Sequence, residues 1–295
     1  MRRTVALMAD ATLLAARRSS YAARMSEPTP YETRCYADLR EWRDRPPPAV
    51  KQASGKVARH ITGAIGTLVP AAALRYALQA AQATAGRLRD EHSILERAHA
   101  DTLAELAAGS LERCDALVRP VQRRAMLMAG MSGAVFGTTG FAGLALDIPS
   151  LLVIAFRSIH RIGLCYGEDC MRGHSVLPLA VFALACANTP ADKSLAWNAL
   201  GPADPDTPGT SAVRGSALRT LNQGMAKTTA ALGFSRIARQ ASTRLGWRLA
   251  GTALPVVGAV VGGSANLWYL RDMAATAQHA FQWRWLTAHH PDHFV

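Results

Sequence analysis

The chain of 295 residues reads as all-α, a multi-helix bundle with two glycine-rich helical hairpins at its centre. Three observations predict this. Alanine and leucine dominate the runs between breakers, while valine, isoleucine and threonine seldom alternate with polar residues, so strand periodicity is scarce. Hydrophobic residues make up 49% of the chain and charged residues 18%, which supplies a core and excludes an intrinsically disordered chain. Two charge-free runs of 22 residues, Ala125 to Leu146 and Leu249 to Leu270, carry glycines at spacings of three and four.

The first 24 residues surround a short apolar stretch with basic residues, but Asp10 interrupts it and no small-residue cleavage site follows. They are expected to be an extension outside the fold, with Met25 an alternative start, leaving residues 25–295 as one helical domain. Tyr31 to Arg43 is an amphipathic segment stopped by Pro46, Pro47 and Pro48. From Val50 to Ala85 helical spacing is broken by Gly63, Gly66 and Pro70, which predicts two helices. Glu91 to Val118 holds six of the 21 acidic residues and predicts one helix with a solvated face. Asp147 followed by Pro149 predicts a helix start, because the carboxylate can accept from free N–H groups of the first turn, where proline also fits. Residues 201–216, with three prolines and three glycines, predict a loop that tops the bundle.

Each charge-free run is long enough to cross a hydrocarbon core of about 30 Å. Their glycine, serine and threonine content argues against a simple span. Gly130, Gly133, Gly137 and Gly140 in the first run, and Gly258 and Gly262 in the second, would place smooth ridges against a neighbouring backbone. Such packing serves a buried core hairpin and a membrane-inserted hairpin equally, and both stay open.

The formal charge of 33 − 21 = +12 rests on arginine, since only Lys51, Lys56, Lys193 and Lys227 are lysines. Arginine binds phosphate oxygens bidentately, so the balance points to an anionic partner, against the alternative of codon bias. No acidic residue lies between Asp206 and Asp272. In that stretch Arg236, Arg239, Arg244 and Arg248 share one half of a helical wheel, opposite Phe234, Ala241, Leu245 and Leu249. This predicts a basic amphipathic helix against an anionic membrane surface, with a solvated bundle helix as the alternative. Nucleic acid is not expected, because aromatic residues are hardly interleaved with the arginines.

Chemical motifs are few. The five cysteines form no Cys-x-x-Cys and read as free thiols of a reducing, cytoplasmic compartment. Cys165, Cys170 and His174 lack a second ligand pair, and the tail histidines His289, His290 and His293 read as a frayed terminus, so neither metal nor cofactor is expected. Nucleophile-elbow, phosphate-loop and zinc-protease patterns are absent. Arg157, Asn266 and Asp272 are expected to form a polar cluster beside the apolar runs, because polar groups there must find partners once the runs are buried. Asp147 and His160 are the other candidates near it.

Two blocks, DIPSLLVIAFRSIHRIGLCYG from Asp147 and LPVVGAVVGGSANLWYLRDMAATAQHAFQWRWL from Leu254, resemble the signature blocks of the EcsC family of bacterial proteins, in the same order. The segments from Tyr31 to Pro46 and from Cys114 to Gly137 resemble the family upstream. The resemblance implies a helical protein of unknown activity, associated in some bacteria with ABC exporters and secretion. It adds Tyr166 and Arg284 to the polar candidates. The expected function is therefore a non-enzymatic accessory to a transport, secretion or envelope process, on the cytoplasmic face of the inner membrane, with a membrane transporter as a further partner. One alternative is a carrier for a lipid or other apolar ligand; another is an enzyme using Asp147, His160 and Asp272.

Overall fold

The computed structural model describes residues 27–47, 71–137, 140–171, 177–187, 189–201 and 255–294, with the backbone alone at 71–77, 132–149 and 255–266. Among these residues there are nine helices and no strand, as the periodicity predicts. They are α1 (Pro30–Asp44), α2 (Ala71–Arg87), α3 (Glu91–Ala98), α4 (Leu103–Ala107), α5 (Leu111–Gly137), α6 (Gly140–Cys165), α7 (Leu177–Cys186), α8 (Pro190–Asn198) and α9 (Pro255–His289). Helices α5, α6 and α9 pack on one another at the centre, with α2 against α6, α7 against α9 and α6, and α1 against α9.

Local chemistry explains the ends of α1. Thr29 accepts from the Glu32 N–H while the Glu32 carboxylate accepts from the Thr29 N–H at 2.7 Å, and Pro30 occupies the first turn. Pro46 then forbids continuation. In α5, Leu111, Cys114, Val118, Val121, Ala125 and Ala129 recur at three and four residues and are all buried. Helix α7 buries nine of its ten residues, and the C-terminal half of α6 is buried nearly all round, as expected of central helices.

Several expectations change. Glu91 to Val118 is three helices, because His99 takes a left-handed conformation, Thr102 caps a new helix and Gly109–Ser110 separates the next. Asp147 is no N-cap: α6 begins at Gly140 and runs through Pro149, so the apolar helical run outweighs the one backbone bond that proline removes. From Pro255 onward the second charge-free run is the start of one continuous helix, not a hairpin. Gly130 is not a packing glycine, since a Cβ there would meet nothing within 4 Å. Gly133 and Gly137 lie in α5, Gly140 opens α6, and Gly258 and Gly262 lie in α9, but their surroundings fall outside the described side chains. The 1–24 extension, the 202–216 part of the loop and the arginines at 236, 239, 244 and 248 lie outside the described residues. The tail is not frayed: His290 is buried, and Phe294 stacks on Tyr36 at a centroid distance of 4.3 Å.

The glycine that the fold needs most is Gly167, where α6 ends. Its φ is +74°, and a Cβ would lie 2.6 Å from the Leu103 carbonyl oxygen and 2.4 Å from the Ala107 Cβ. Gly167→Ala combines left-handed strain with overlap against α4, and should lower unfolding free energy by about 3 kcal/mol in urea titration. Gly130→Ala, facing open space inside a helix, should raise it by up to about 1 kcal/mol.

Candidate functional site

The polar residues of the bundle fall into three separate groups. The first centres on Asp115, which projects from the apolar face of α5 and is 4% exposed. One carboxyl oxygen accepts from the Tyr166 hydroxyl and from the side-chain amides of Gln282 at 2.8 Å and Gln278 at 3.2 Å. The other accepts from Tyr31 at 2.6 Å and from Gln282 at 2.9 Å. Gln122 donates to the Gln278 carbonyl oxygen at 2.9 Å, which extends the network along α5 and α9. Burial, reinforced by Asp115, raises the Tyr31 and Tyr166 phenols well above their usual range, so both remain donors. Burial also pushes the Cys114 and Cys165 thiols up to about 12, which removes them as nucleophiles. With five donor contacts on its two oxygens, Asp115 has no capacity left for a substrate proton; the group ties α1, α5, α6 and α9 together.

The second group is a buried cation. Arg284 on α9 donates through Nε to both Glu168 oxygens at 2.9 and 2.8 Å, through Nη2 to Glu168 Oε1, and through Nη1 to the carbonyls of Leu200 and Gly201 at 2.6 and 2.9 Å. A planar fork satisfied on every side in this way fixes the turn after α6 to the end of α8.

The third group faces α2 and the start of α3. Arg161 is 5% exposed and donates to Asp90 at 3.0 Å, to Ser93 at 3.0 Å and to the Arg89 carbonyl at 3.1 Å. Its acid is thus Asp90. Those hydrogen bonds, from Ser93 first and Arg161 second, hold the Asp90 carboxyl below the usual range. One turn earlier, Arg157 donates to the Leu88 carbonyl at 2.8 Å and lies 3.8 Å from the Met128 sulfur. Together with Arg124, Val121, Ala125, Ile154, Ser158 and Met128 these arginines line a small groove open to solvent.

The residues singled out from sequence therefore do not form one site. Tyr166 belongs to the Asp115 group, Arg284 to the Glu168 clamp, and Arg157 to the groove. The expected Arg157–Asp272 pair is replaced by the Arg157 bond to Leu88, just past the end of α2, which packs against α6. Asp272 is half-buried on α9, and the side chains of Asp147 and Asn266 fall outside the described set. His160 is 1% exposed and neither ring nitrogen has a hydrogen-bond partner, so it is shut off from solvent and has no carboxylate within hydrogen-bond reach. Of the three residues weighed and set aside as metal ligands, Cys165 and Cys170 are buried free thiols, the Cys165 thiol donating to the Arg161 carbonyl, and His174 lies outside the described residues.

Sequence reasoning missed Asp115, Tyr31, Glu168, Gln278 and Gln282. One signal was present: Asp115 stands between Leu111, Cys114 and Val118 on a face that is otherwise apolar, where a solvated-face assignment cannot hold. Gln278 and Gln282 are spaced by four on the helix that packs against it.

These observations define a helical bundle whose buried polar groups serve chiefly to join helices. The EcsC protein family model matches residues 34–286, most of the chain, and the chain belongs to that family. No curated protein and no solved structure matches it.

Asp115→Ala strands two hydroxyls and two amides, and should lower stability by about 3–5 kcal/mol, whereas Tyr31→Phe removes one donor and should cost about 1 kcal/mol. Hydrogen exchange should show the Tyr31→Phe loss concentrated in α1. The buried histidines set the acid limit. Burial, with Arg89 near His160 and Lys193 near His279, lowers both imidazoles to about 4, against about 6.5 in the unfolded chain. Between these values the unfolded chain binds protons that the folded one refuses, so stability falls as pH drops from about 6.5 to 4, by up to about 1.4 kcal/mol per pH unit for each ring. Urea midpoints across that range should show this slope, and His160→Leu should remove one ring's share.

Proposed function

We propose that the protein is a non-enzymatic accessory that docks on the cytoplasmic face of the inner membrane and serves a transport, secretion or envelope process, with a membrane transporter as partner. One observation carries the membrane contact. Leu127 is 68% exposed, Met131 71% and Trp268 48%, with Met128 and Leu267 also exposed beside them. Asp115 and Gln122 both meet Gln278, and Asp115 also meets Gln282, so α5 and α9 run antiparallel. Nine residues separate Gln122 from Met131 and ten separate Gln278 from Trp268; at 1.5 Å per residue both reach the same level of the bundle. Large apolar side chains gathered at one end mark an interaction surface.

Arginine supports the same end. Arg123 and Arg124 on α5, Arg157 on α6 and Arg271 on α9 lie within about three turns of that level, where they can meet lipid phosphates while the apolar side chains enter the acyl boundary. Among the described residues no helix is long and apolar enough to cross a membrane, so the contact proposed for them is interfacial. The saturated Asp115 and the enclosed His160 favour an accessory over an enzyme.

Vesicle flotation tests the proposal. Each large side chain that becomes buried contributes about 1.5–3 kcal/mol, so Leu127→Ser with Met131→Ser should weaken binding at least roughly tenfold without loss of helicity. Equal binding of this variant and the parent protein would remove this end of the bundle as the membrane contact.

A further inference from the structure

The groove between α5 and α6 holds positive charge that the protein itself leaves uncompensated. Among the described residues neither Arg124 nor Arg157 has a carboxylate within ion-pair distance, although Arg161 beside them is neutralised by Asp90. Arg157 is anchored by its Nε on the Leu88 carbonyl, with Nη1 against the Met128 sulfur, and no other hydrogen bond engages its guanidinium. Arg124 and Arg161 both act on Arg157 as like charges, opposed by the attraction of Asp90. The Ser158 hydroxyl is spent on the Ile154 carbonyl at 2.8 Å. The groove thus offers two free cations over a floor of Val121, Ala125, Met128 and Ile154. That combination fits an anion with an apolar tail.

Size and position narrow the occupant. The groove is shallow and open, with about 20 Å³ of space below its rim, room for about one water. A phosphate group can therefore meet the guanidiniums only at its mouth, and a lipid's chains cannot enter it. Arg124 shares one face of α5 with Leu127, Met128 and Met131, at spacings of three, four and seven. Met131 therefore lies about 10 Å along the axis from Arg124, comparable with the depth to which an interfacial helix buries its apolar face. We infer that Arg124 and Arg157 form a binding site for the phosphate of an anionic glycerophospholipid, whose chains stay in the bilayer beside Leu127 and Met131. This deepens the membrane reading above and rests on it.

The test compares Arg124→Gln/Arg157→Gln with Arg34→Gln/Arg119→Gln, which removes the same charge from exposed positions of α1 and α5 outside the groove. Vesicles of phosphatidylcholine, with and without phosphatidylglycerol, are used for flotation, and glycerol 3-phosphate for thermal-shift titration. The parent protein should prefer the anionic vesicles by roughly 10- to 30-fold, as two engaged guanidiniums imply. The groove variant should lose that preference while keeping its binding to neutral vesicles, and the control should keep most of it. Glycerol 3-phosphate should raise the melting temperature of the parent and the control but not of the groove variant. Equal losses in both variants would overturn the inference in favour of diffuse charge, leaving the membrane reading intact. If the parent binds no vesicle yet glycerol 3-phosphate stabilises it through these arginines, the membrane reading fails, and with it the lipid as occupant. An acidic peptide that displaces glycerol 3-phosphate while anionic vesicles do not would overturn the inference in favour of a protein partner. Should the groove variant unfold, Arg157→Lys decides: it keeps the charge but not the fork, and is expected to retain only part of the preference.

Discussion

A carboxyl group held inside the bundle without a cation is the constraint on which the rest of the structure depends. Asp115 is surrounded by hydroxyl and amide donors from α1, α6 and α9 while it stands on α5. Burying such a group is costly unless its oxygens are fully bonded, so only one arrangement of the four helices serves. Sliding α9 by one turn would remove Gln282 from Asp115, and lifting α1 would remove Tyr31. Apolar packing alone tolerates such shifts far better, which is why a satisfied polar group adds uniqueness where leucine and alanine add mainly adhesion.

The cations extend the same logic to the junctions. Arg284 gathers the turn after α6 and the carbonyls at the end of α8, which would otherwise end in unpaired acceptors. Arg161 does the same for the link between α2 and α3. Helix α1 joins by aromatic contacts as well, with Tyr36 on Phe294, Trp42 on His279, and Lys193 donating to the Trp42 and Arg45 carbonyls. The Tyr36–Phe294 contact sits at the end of the bundle away from Leu127 and Met131, and the Trp42–His279 contact about midway. One end is thereby fastened by polar and aromatic bonds, while the other exposes large apolar side chains beside arginines that have no carboxylate within ion-pair distance among the described residues.

Histidine shows how position changes chemistry. His160 follows Arg157 by three residues, but burial leaves its imidazole neutral and without a partner, whereas Arg157 reaches a groove open to solvent. The two residues, three apart on one helix, thus lie in different environments.

The helical class, the segment that becomes α1 with its proline stop, and family membership were legible in the sequence, because period, helix breakers and signature blocks are local properties of the chain. Helix boundaries at 99–102 and at Gly140 were less so, because left-handed turns and a proline within a helix depend on packing. Which polar residues meet could be decided only by the tertiary structure: Asp115 finds Gln282 across 167 positions, and Arg157 turns to Leu88 instead of Asp272. A periodic pattern states which face of a helix is apolar, but not which neighbour that face meets or at what register, and the polar contacts of this protein exist only once both are fixed.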